Sequence, residues 1–395
     1  MLNVPKPTLH EDWIDLTARK IVQTLQTSGY ETYLVGGCVR DLLAGIHPKD
    51  FDIATNALPN EVKKKVPGSY VIGKRFRLVL VKRGESQFEV ATFRRNVRPE
   101  DLEAEENAVT GDNYFGTCEE DARRRDFTIN ALFYDPIQHR LIDYVEGQKD
   151  IQACTIRMIG DPKERFLEDP IRLLRALRLS HKLMFRLDPE LRAAMTETAE
   201  SLQKSVLPRR REEYLKLLRL KEPGRAWAEL FDLGLMAPVL PGLHELYQDA
   251  EQSRTFERYL LEIPRVGIDM GSPLELFAGF LYAFLRAKHP ENDLDAAQIE
   301  NSPRWNGFMK DELGMFKVEA AVFLKCLDLL PALFRTEAYL KKGGRRKVGF
   351  LRNDSLPLAL KLSQIDGFLP PEEFDFWVEQ IRANSAEIWA SRPQF

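Results

Sequence analysis

The spacing of apolar and polar residues changes near Gly160 and divides the chain into two parts. Before this point, short apolar runs are separated by Gly, Pro and polar turns, which is typical of strands mixed with short helices. After it, apolar residues recur at helical spacing, and prolines interrupt the pattern. We therefore predict an α/β domain over residues 1–160, a helical region over residues 161–252 and a helical C-terminal region over residues 253–395.

Within the first part, the pattern predicts both helices and strands. Helices are expected over residues 9–28 and 58–66. Residues 95–115 are polar and show no hydrophobic periodicity, which predicts a surface loop. Thr117 and Glu120 form a capping signature, from which a helix is expected to continue to residue 135. The predicted strands, rich in Val, Phe, Leu and Ile, cover residues 70–82, 87–94, 140–144 and 155–159.

The stretch Tyr33–Ile53 combines a glycine turn with two carboxylates. It reads as a strand, a break at Gly36 and Gly37, a short helix with Arg40, and a second strand with Asp50 and Asp52. Alternate strand residues share a face, so the two carboxylates are expected side by side, where they repel each other unless a cation binds. Oxygen ligands suit Mg²⁺, and glycines before a helix N-terminus suit phosphate. The stretch therefore predicts nucleotide chemistry.

Three further groups of polar residues extend this candidate site. Glu89 lies on a predicted neighbouring strand and could complete a two-metal carboxylate set, or be an exposed edge charge. On the predicted helix, Arg125, Asp126 and Asn130 could hold triphosphate and ribose, or form an ordinary solvated helix face. A third group repeats every three residues and could present donors and acceptors to a nucleobase, or be a surface charge stripe: Asp169, Arg172, Arg175 and Arg178.

Composition narrows the class of protein. The chain has 395 residues, with 57 Lys and Arg against 60 Asp and Glu, so RNA affinity must come from local basic patches such as residues 335–352. Four scattered cysteines support neither a zinc site nor a disulfide framework. Neither a membrane span nor a signal peptide is expected. We predict a cytoplasmic protein that does not bind membranes, with a monomer favoured.

Four ordered motifs resemble those of the class II tRNA nucleotidyltransferases and bacterial poly(A) polymerases, a family within the polymerase-beta-like nucleotidyltransferases. The motifs are LVGGCVRD with DFDIAT, RRDFTIN, EDPIRLLRALR and an RxxE sequence followed by Lys, and they extend from Leu34 to about Lys216. The resemblance implies an α+β fold: a five-stranded nucleotidyltransferase head followed by an all-helical neck, body and tail.

The resemblance also implies a role for each matched residue. Asp50 and Asp52 would hold Mg²⁺ as catalytic carboxylates, and either Glu89 or Asp126 would be the third. Arg209 and Glu212 would brace the neck. The residues implied for nucleotide binding are Gly36, Gly37, Arg40 and Arg125 at the phosphates, Asp126 and Asn130 near the ribose, and Asp169, Arg172, Arg175 and Arg178 at the base.

The strand Val71–Val81 favours the poly(A) polymerase branch, because it lacks the Gly-x-x-His-Gly-Thr type of sequence usual in tRNA-repair enzymes. The implied activity is template-independent addition of AMP from ATP to RNA 3′ ends by a two-metal mechanism. Two alternatives remain: a CCA-adding or A-adding tRNA nucleotidyltransferase, and a non-catalytic RNA-binding protein on the same fold.

Overall fold

The computed structural model describes residues 9–73, 78–96, 114–290 and 294–385. The chain forms two compact units, which we call the head unit and the helical unit. The head unit contains Met1–Glu168 and Leu183–Ala194, and the helical unit contains Asp169–Lys182 and Met195–Phe395. The domain boundaries at residues 160 and 252 stay predictions.

A mixed sheet forms the centre of the head unit. Its seven described strands are β1 Thr32–Val35, β2 Asp52–Thr55, β3 Ser69–Ile72, β4 Leu78–Arg83, β5 Ser86–Thr92, β6 Leu132–Asp135 and β7 Arg140–Asp143. Their order is β3-β4-β5-β2-β1-β6-β7, and only the β2–β5 pair is parallel. A separate pair consists of β8 Thr155–Ile156 and β9 Arg186–Leu187.

Two features of this sheet differ from expectation. The predicted strand 70–82, of which residues 74–77 lie outside the described residues, forms two strands, β3 and β4, that pair antiparallel from Ser69 with Val81 to Ile72 with Leu78. This extra strand and the edge strand β7 give the described sheet seven strands instead of five. The hairpin of β4 and β5 and the strand at 140–143 are confirmed.

In the described part of residues 9–168, six α-helices accompany the sheet: α1 Leu16–Thr27, α2 Gly37–Leu43, α3 Pro59–Lys65, α4 Cys118–Arg123, α5 Gly147–Gln152 and α6 Pro162–Glu168. Helix α1 begins later than predicted, because the Asp15 side chain accepts hydrogen bonds from the N–H groups of Thr17 (2.7 Å) and Ala18 (3.1 Å). Between the helices and the sheet lies a core that includes Tyr33, Phe93 and Phe133.

The predicted helix over residues 117–135 is wrong beyond its first two turns. Helix α4 has the expected capping box but ends at Arg123. Residues Thr128–Asn130 form a single 3-10 turn, and Leu132–Asp135 is the fully buried strand β6 beside β1. Sheet pairing therefore overrides helical periodicity here, because a strand buried on both faces is apolar without alternation.

The remaining described helices build the helical unit and the segment that joins it to the head. They are α7 Ile171–Leu183, α8 Pro189–Glu197, α9 Leu207–Leu218, α10 Pro223–Asp232, α11 Pro241–Tyr247, α12 Ala250–Arg265, α13 Pro273–Lys288, α14 Ala296–Asn301, α15 Pro303–Gly307, α16 Lys317–Leu333, α17 Thr336–Leu340, α18 Gly344–Leu351, α19 Leu356–Ser363 and α20 Pro371–Ala383.

Helix α13 is the central helix of the helical unit. Eleven of its sixteen residues are buried, as expected for a helix enclosed by other helices. Aromatic rings join it to its neighbours: Phe280 lies 5.2 Å from Trp227 and 5.3 Å from Phe256 between ring centroids. None of the described helices has both the length and the apolar character needed to cross a bilayer.

Candidate active site

The glycine turn in the head unit requires a residue without a side chain. Gly36 precedes α2 with φ +74°, a conformation that favours glycine. A Cβ atom at this position would lie 3.1 Å from Nη1 of Arg125 and 3.6 Å from the carbonyl oxygen of Asn130. The turn therefore packs directly against two of the residues that the sequence assigned to nucleotide binding.

Arg40 is buried and has its hydrogen-bonding groups engaged. Its Nε and Nη2 donate to the neighbouring Asp41, and its Nη1 donates to Oδ1 of Asn130 at 2.6 Å. Asn130 in turn donates to Oδ1 of Asp126 at 3.1 Å, and that oxygen also accepts the N–H of Phe127. Asp126 and Asn130 are thus together, as predicted, but through a turn rather than along one α-helix.

Arg125 is held by a carboxylate that sequence reasoning missed. Its Nε and Nη2 donate to Oδ2 of Asp121 at 3.1 and 2.8 Å, and its Nη1 donates to the carbonyl oxygen of Asn130 at 3.3 Å. Asp121 is buried, whereas the Arg125 side chain is 24% exposed. The i,i+4 spacing of the two residues was the available signal. Asp121 and Asn130 therefore hold the guanidinium of Arg125 in place, while the side chain stays partly accessible.

A second missed residue, Arg165 on α6, supports the same segment. Its Nη2 donates to the carbonyl oxygens of Arg124 and Arg125, both at 2.8 Å, and its Nη1 donates to Glu168 at 2.7 Å. These carbonyls directly follow the C-terminal end of α4, where a cation is favourable. Arg165 is thus a candidate positioning residue for Arg125.

The three candidate metal ligands lie at one end of β2. Asp52 is its first residue and pairs in register with Glu89 on the parallel strand β5. Asp50 lies two residues earlier, and Phe51 between them is buried, as predicted. Asp50, Asp52 and Glu89 are exposed, and none of them pairs with a described Lys or Arg. The register thus places Glu89 beside Asp52.

The electrostatics of Asp52 show how these groups influence one another. Desolvation by neighbouring atoms raises its pKa to about 6, and the negative charges of Glu89 and Asp50 act in the same direction. Arg125 and Arg40 oppose the shift. Desolvation and the neighbouring carboxylates thus outweigh the two arginines, and a bound cation would favour the charged form of Asp52.

The donor set fits Mg²⁺ only in combination with a substrate. Within the described part of the chain, no three His, Cys, Asp or Glu side chains are close enough to enclose a metal ion. Magnesium is usually held by one or two carboxylates together with water and substrate phosphates, so a complete protein cage is not needed. Asp50, Asp52 and Glu89 suit that kind of open site.

In the helical unit, the predicted base-binding residues lie just before and along helix α7. Arg172, Arg175 and Arg178 are half-buried on one side of the helix, whereas Leu173 and Leu177 on the other are fully buried, as predicted. Asp169 accepts two hydrogen bonds of 2.8 Å from Nη1 and Nη2 of Arg209.

A cavity of about 500 Å³ lies between α7 and α9, and its lining includes Arg175 and Arg178. Nε of Arg178 donates to Glu213 at 2.6 Å, and Nζ of Lys216 donates to the same carboxylate at 3.0 Å. Burial alone would raise the pKa of Glu213, but Arg178 and Lys216 outweigh it and lower the pKa. Glu213 therefore joins α9 to α7, whereas the predicted bracing residue Glu212 is exposed and lines the cavity.

Two family models match parts of this chain. Residues 32–157 match the family model described as the poly A polymerase head domain, and residues 184–247 match that described as a probable RNA and SrmB-binding site of polymerase A. Poly(A) polymerase I of Haemophilus influenzae is 38% identical over 272 residues, which are 67% of this chain and 60% of that protein. The chain thus spans less than two thirds of this relative.

CCA-adding enzymes are also similar. The enzyme of Bacillus licheniformis is 36% identical over 247 residues, which are 62% of this chain and 61% of that protein. A solved structure of the Bacillus stearothermophilus CCA-adding enzyme in complex with CTP is 25% identical, with a TM-score of 0.56 over 94% of this chain and 98% of that chain.

The head sheet, its glycine turn and its carboxylates define the nucleotidyltransferase head of an α+β fold with a helical C-terminal part. Within that class, the chain belongs to the family of bacterial poly(A) polymerases and CCA-adding enzymes, as its four motifs indicated.

Proposed function

We propose that this chain is a template-independent nucleotidyltransferase that transfers AMP from ATP to RNA 3′ ends and releases pyrophosphate. The observation that carries the proposal is the register of Asp52 with Glu89, which gathers carboxylates next to the charges of Arg125 and Arg40. Such a site suits phosphoryl transfer, which depends on positioning and on stabilisation of developing charge.

The head residues divide this task. Bound at Asp50 and Asp52, Mg²⁺ would supply activation of the RNA 3′-hydroxyl and neutralisation of the triphosphate. The accessible guanidinium of Arg125 binds phosphate oxygens, while the backbone N–H groups after Gly36 face the same ligand. Arg40 has a side chain only 6% exposed and therefore acts by orienting Asn130. Asp126 acts through the same amide toward the ribose.

The helical unit supplies base selection and RNA contact. Asp169, Arg172, Arg175 and Arg178 present acceptors and donors to the edge of adenine. The basic segment lies over α17 and α18, where Lys341, Lys342, Arg345 and Arg346 are exposed and suited to an RNA backbone. A cytoplasmic monomer stays a prediction.

Addition of CCA or A to tRNA is the second candidate, because CCA-adding enzymes match nearly as well as poly(A) polymerases. We favour poly(A) addition on the sequence of Val71–Val81, of which residues 74–77 lie outside the described part of the chain.

Product length separates the candidates. The full chain is incubated with Mg²⁺, one nucleotide at a time, and either an unstructured RNA or a tRNA lacking its 3′ end. Poly(A) polymerase activity gives long tails on unstructured RNA with ATP alone. One to three additions confined to tRNA identify the tRNA enzyme, and no incorporation together with metal-independent RNA binding identifies a non-catalytic protein.

A further inference from the structure

Two neighbouring cavities in the helical unit share one side chain, Trp305. One cavity, of about 220 Å³, is bordered by Gly242, Glu245 and Lys288 as well as Trp305. The other, of about 310 Å³, is bordered by His289, Gln298 and the same tryptophan. Neither cavity shares a lining residue with the 500 Å³ cavity between α7 and α9. The half-buried indole is thus the common wall of a separate site.

Buried aromatic rings hold the indole in place. The rings of Phe284 and Phe308 are stacked with centroids 4.6 Å apart, and Trp305 meets Phe284 edge-on at 5.6 Å. Phe308 begins a π-helical turn that also brings Glu312 to the cavity, and such turns frequently occur at functional sites. A Cβ on Gly242 would lie 2.9 Å from the Phe308 ring, so a glycine is needed at this wall.

The polar groups of the smaller cavity suit a nucleotide. Lys288 and Arg304 both pair with Glu245, whose side chain is 51% exposed. A phosphate could replace this exposed carboxylate and bind both cations. Deeper in the cavity, Oε2 of Glu312 accepts the N–H of Gly242 at 3.0 Å and offers its remaining acceptor sites to an exocyclic amine of a base.

We propose that Trp305 is a stacking platform for single-stranded RNA, with a nucleobase in each of the two cavities and the linking phosphate at Lys288 and Arg304. The site deepens the proposed function, because it would hold nucleotides of the RNA substrate outside the residues assigned to catalysis. Aromatic stacking of this kind binds any base, since every base has a π-face.

The test measures binding without catalysis. A labelled single-stranded oligoadenylate is titrated with the full chain in the absence of ATP and Mg²⁺, and binding is followed by fluorescence anisotropy. Trp305→Ala should weaken binding about tenfold, whereas Trp305→Phe should retain most of the affinity because it keeps an aromatic face. Arg304→Ala should also weaken binding and reduce the salt dependence by about one phosphate contact.

Lys310→Ala is the matched control. Lys310 is an exposed cation on the same π-helical turn, but its side chain borders neither cavity. It should leave affinity unchanged. A parallel titration with AMP shows whether the site takes a single nucleotide or an RNA strand. Binding of RNA but not of AMP supports the proposed RNA strand. Saturable AMP binding that is lost in Trp305→Ala shows a mononucleotide site instead.

Thermal unfolding establishes whether each variant is folded. If Trp305→Ala is not folded, the two separate variants Trp305→Phe and Arg304→Ala carry the test. Unchanged affinity for both RNA and AMP in the folded variants overturns the proposal and leaves the cavities to a protein partner. Since the assay needs no turnover, absence of AMP incorporation would contradict the proposed function without affecting this result.

Discussion

The carboxylates of the head unit and those of the helical unit are arranged in opposite ways. In the head, Asp50, Asp52 and Glu89 are exposed, mutually repulsive and not paired with any described cation. In the helical unit, Asp169 is bound by Arg209, and Glu213 is bound by both Arg178 and Lys216.

This difference indicates which site is complete without a ligand. The pKa of Asp52 is raised, whereas that of Glu213 is lowered, so the head site gains from an incoming cation and the helical site already has its own. We infer that the head carboxylates still lack a cation partner, while Asp169 and Glu213 in the helical unit are already paired within the protein.

The largest expected effect is at the unpaired carboxylates. Replacement of both Asp50 and Asp52 by Ala should reduce AMP incorporation roughly 10³-fold or more, because several kcal/mol of metal-dependent charge stabilisation is lost. Incorporation of labelled ATP into RNA measures this. Glu85→Gln, in the exposed turn between β4 and β5, is the control and should leave incorporation unchanged. Activity of the double variant close to normal would refute the assignment.

The next effect concerns the close approach at the glycine turn. Gly36→Ala should lower kcat/KM for ATP roughly 10- to 100-fold, because a Cβ there meets Arg125 in a backbone conformation that disfavours side chains. Gly84→Ala is matched: its φ of +58° is also positive, but nothing lies within 4 Å of the added Cβ. It should cost stability only. Equal losses of activity in both variants would show that backbone strain alone is responsible.

Arg165 links the phosphate-binding segment to Glu168, and its loss should act through Arg125. Arg165→Met should raise KM for ATP about tenfold with little change in RNA affinity, since two hydrogen bonds to the Arg124 and Arg125 carbonyls disappear. Arg165→Lys keeps the charge and should recover part of the loss. Steady-state kinetics with either substrate varied separates these outcomes, and a KM for ATP equal to normal in a folded Met variant contradicts the role.

A smaller effect is expected in the helical unit, where the carboxylates are already paired with cations. Glu213→Gln should reduce the preference for ATP over CTP about fivefold, because Arg178 loses a charged partner and becomes less well oriented. The comparison is the ratio of kcat/KM values for the two nucleotides. Glu319→Gln is the control: Glu319 is buried and paired with Arg211 elsewhere in the helical unit. If both variants lose selectivity equally, the effect is one of general stability.

The smallest expected effect is on stability. The pKa of Asp52 is about 6 in the folded chain against 3.8 as its ordinary value, so its ionisation disfavours folding, and this penalty grows as pH rises from about 4 to 6. Asp52→Asn should therefore stabilise the metal-free protein by about 1 kcal/mol at pH 7 and should not stabilise it at pH 4. This magnitude allows for solvent screening of the exposed residue. Chemical denaturation at both pH values measures this; no gain at pH 7 would show that the repulsion is relieved within the protein.

Local sequence identified the parts of the head site that lie within one short segment. Gly36, Arg40, Asp50 and Asp52 fall within a strand–turn–helix–strand unit whose pattern is clear without any partner. The segment after Arg123 was misassigned, because periodicity does not separate a buried strand from a helix. Glu89 was identified as a candidate, but its pairing with Asp52 depends on the register of β2 and β5.

The sequence by itself determined the family and the order of the motifs, and it supplied the candidate residues for binding metal, phosphate and base. Only the tertiary structure decided which distant residues meet: Arg165 at the carbonyl oxygens of Arg124 and Arg125, and Glu213 rather than Glu212 beside Arg178. The physical reason is that these contacts depend on burial and on hydrogen bonds between elements up to 41 residues apart, which no local spacing specifies.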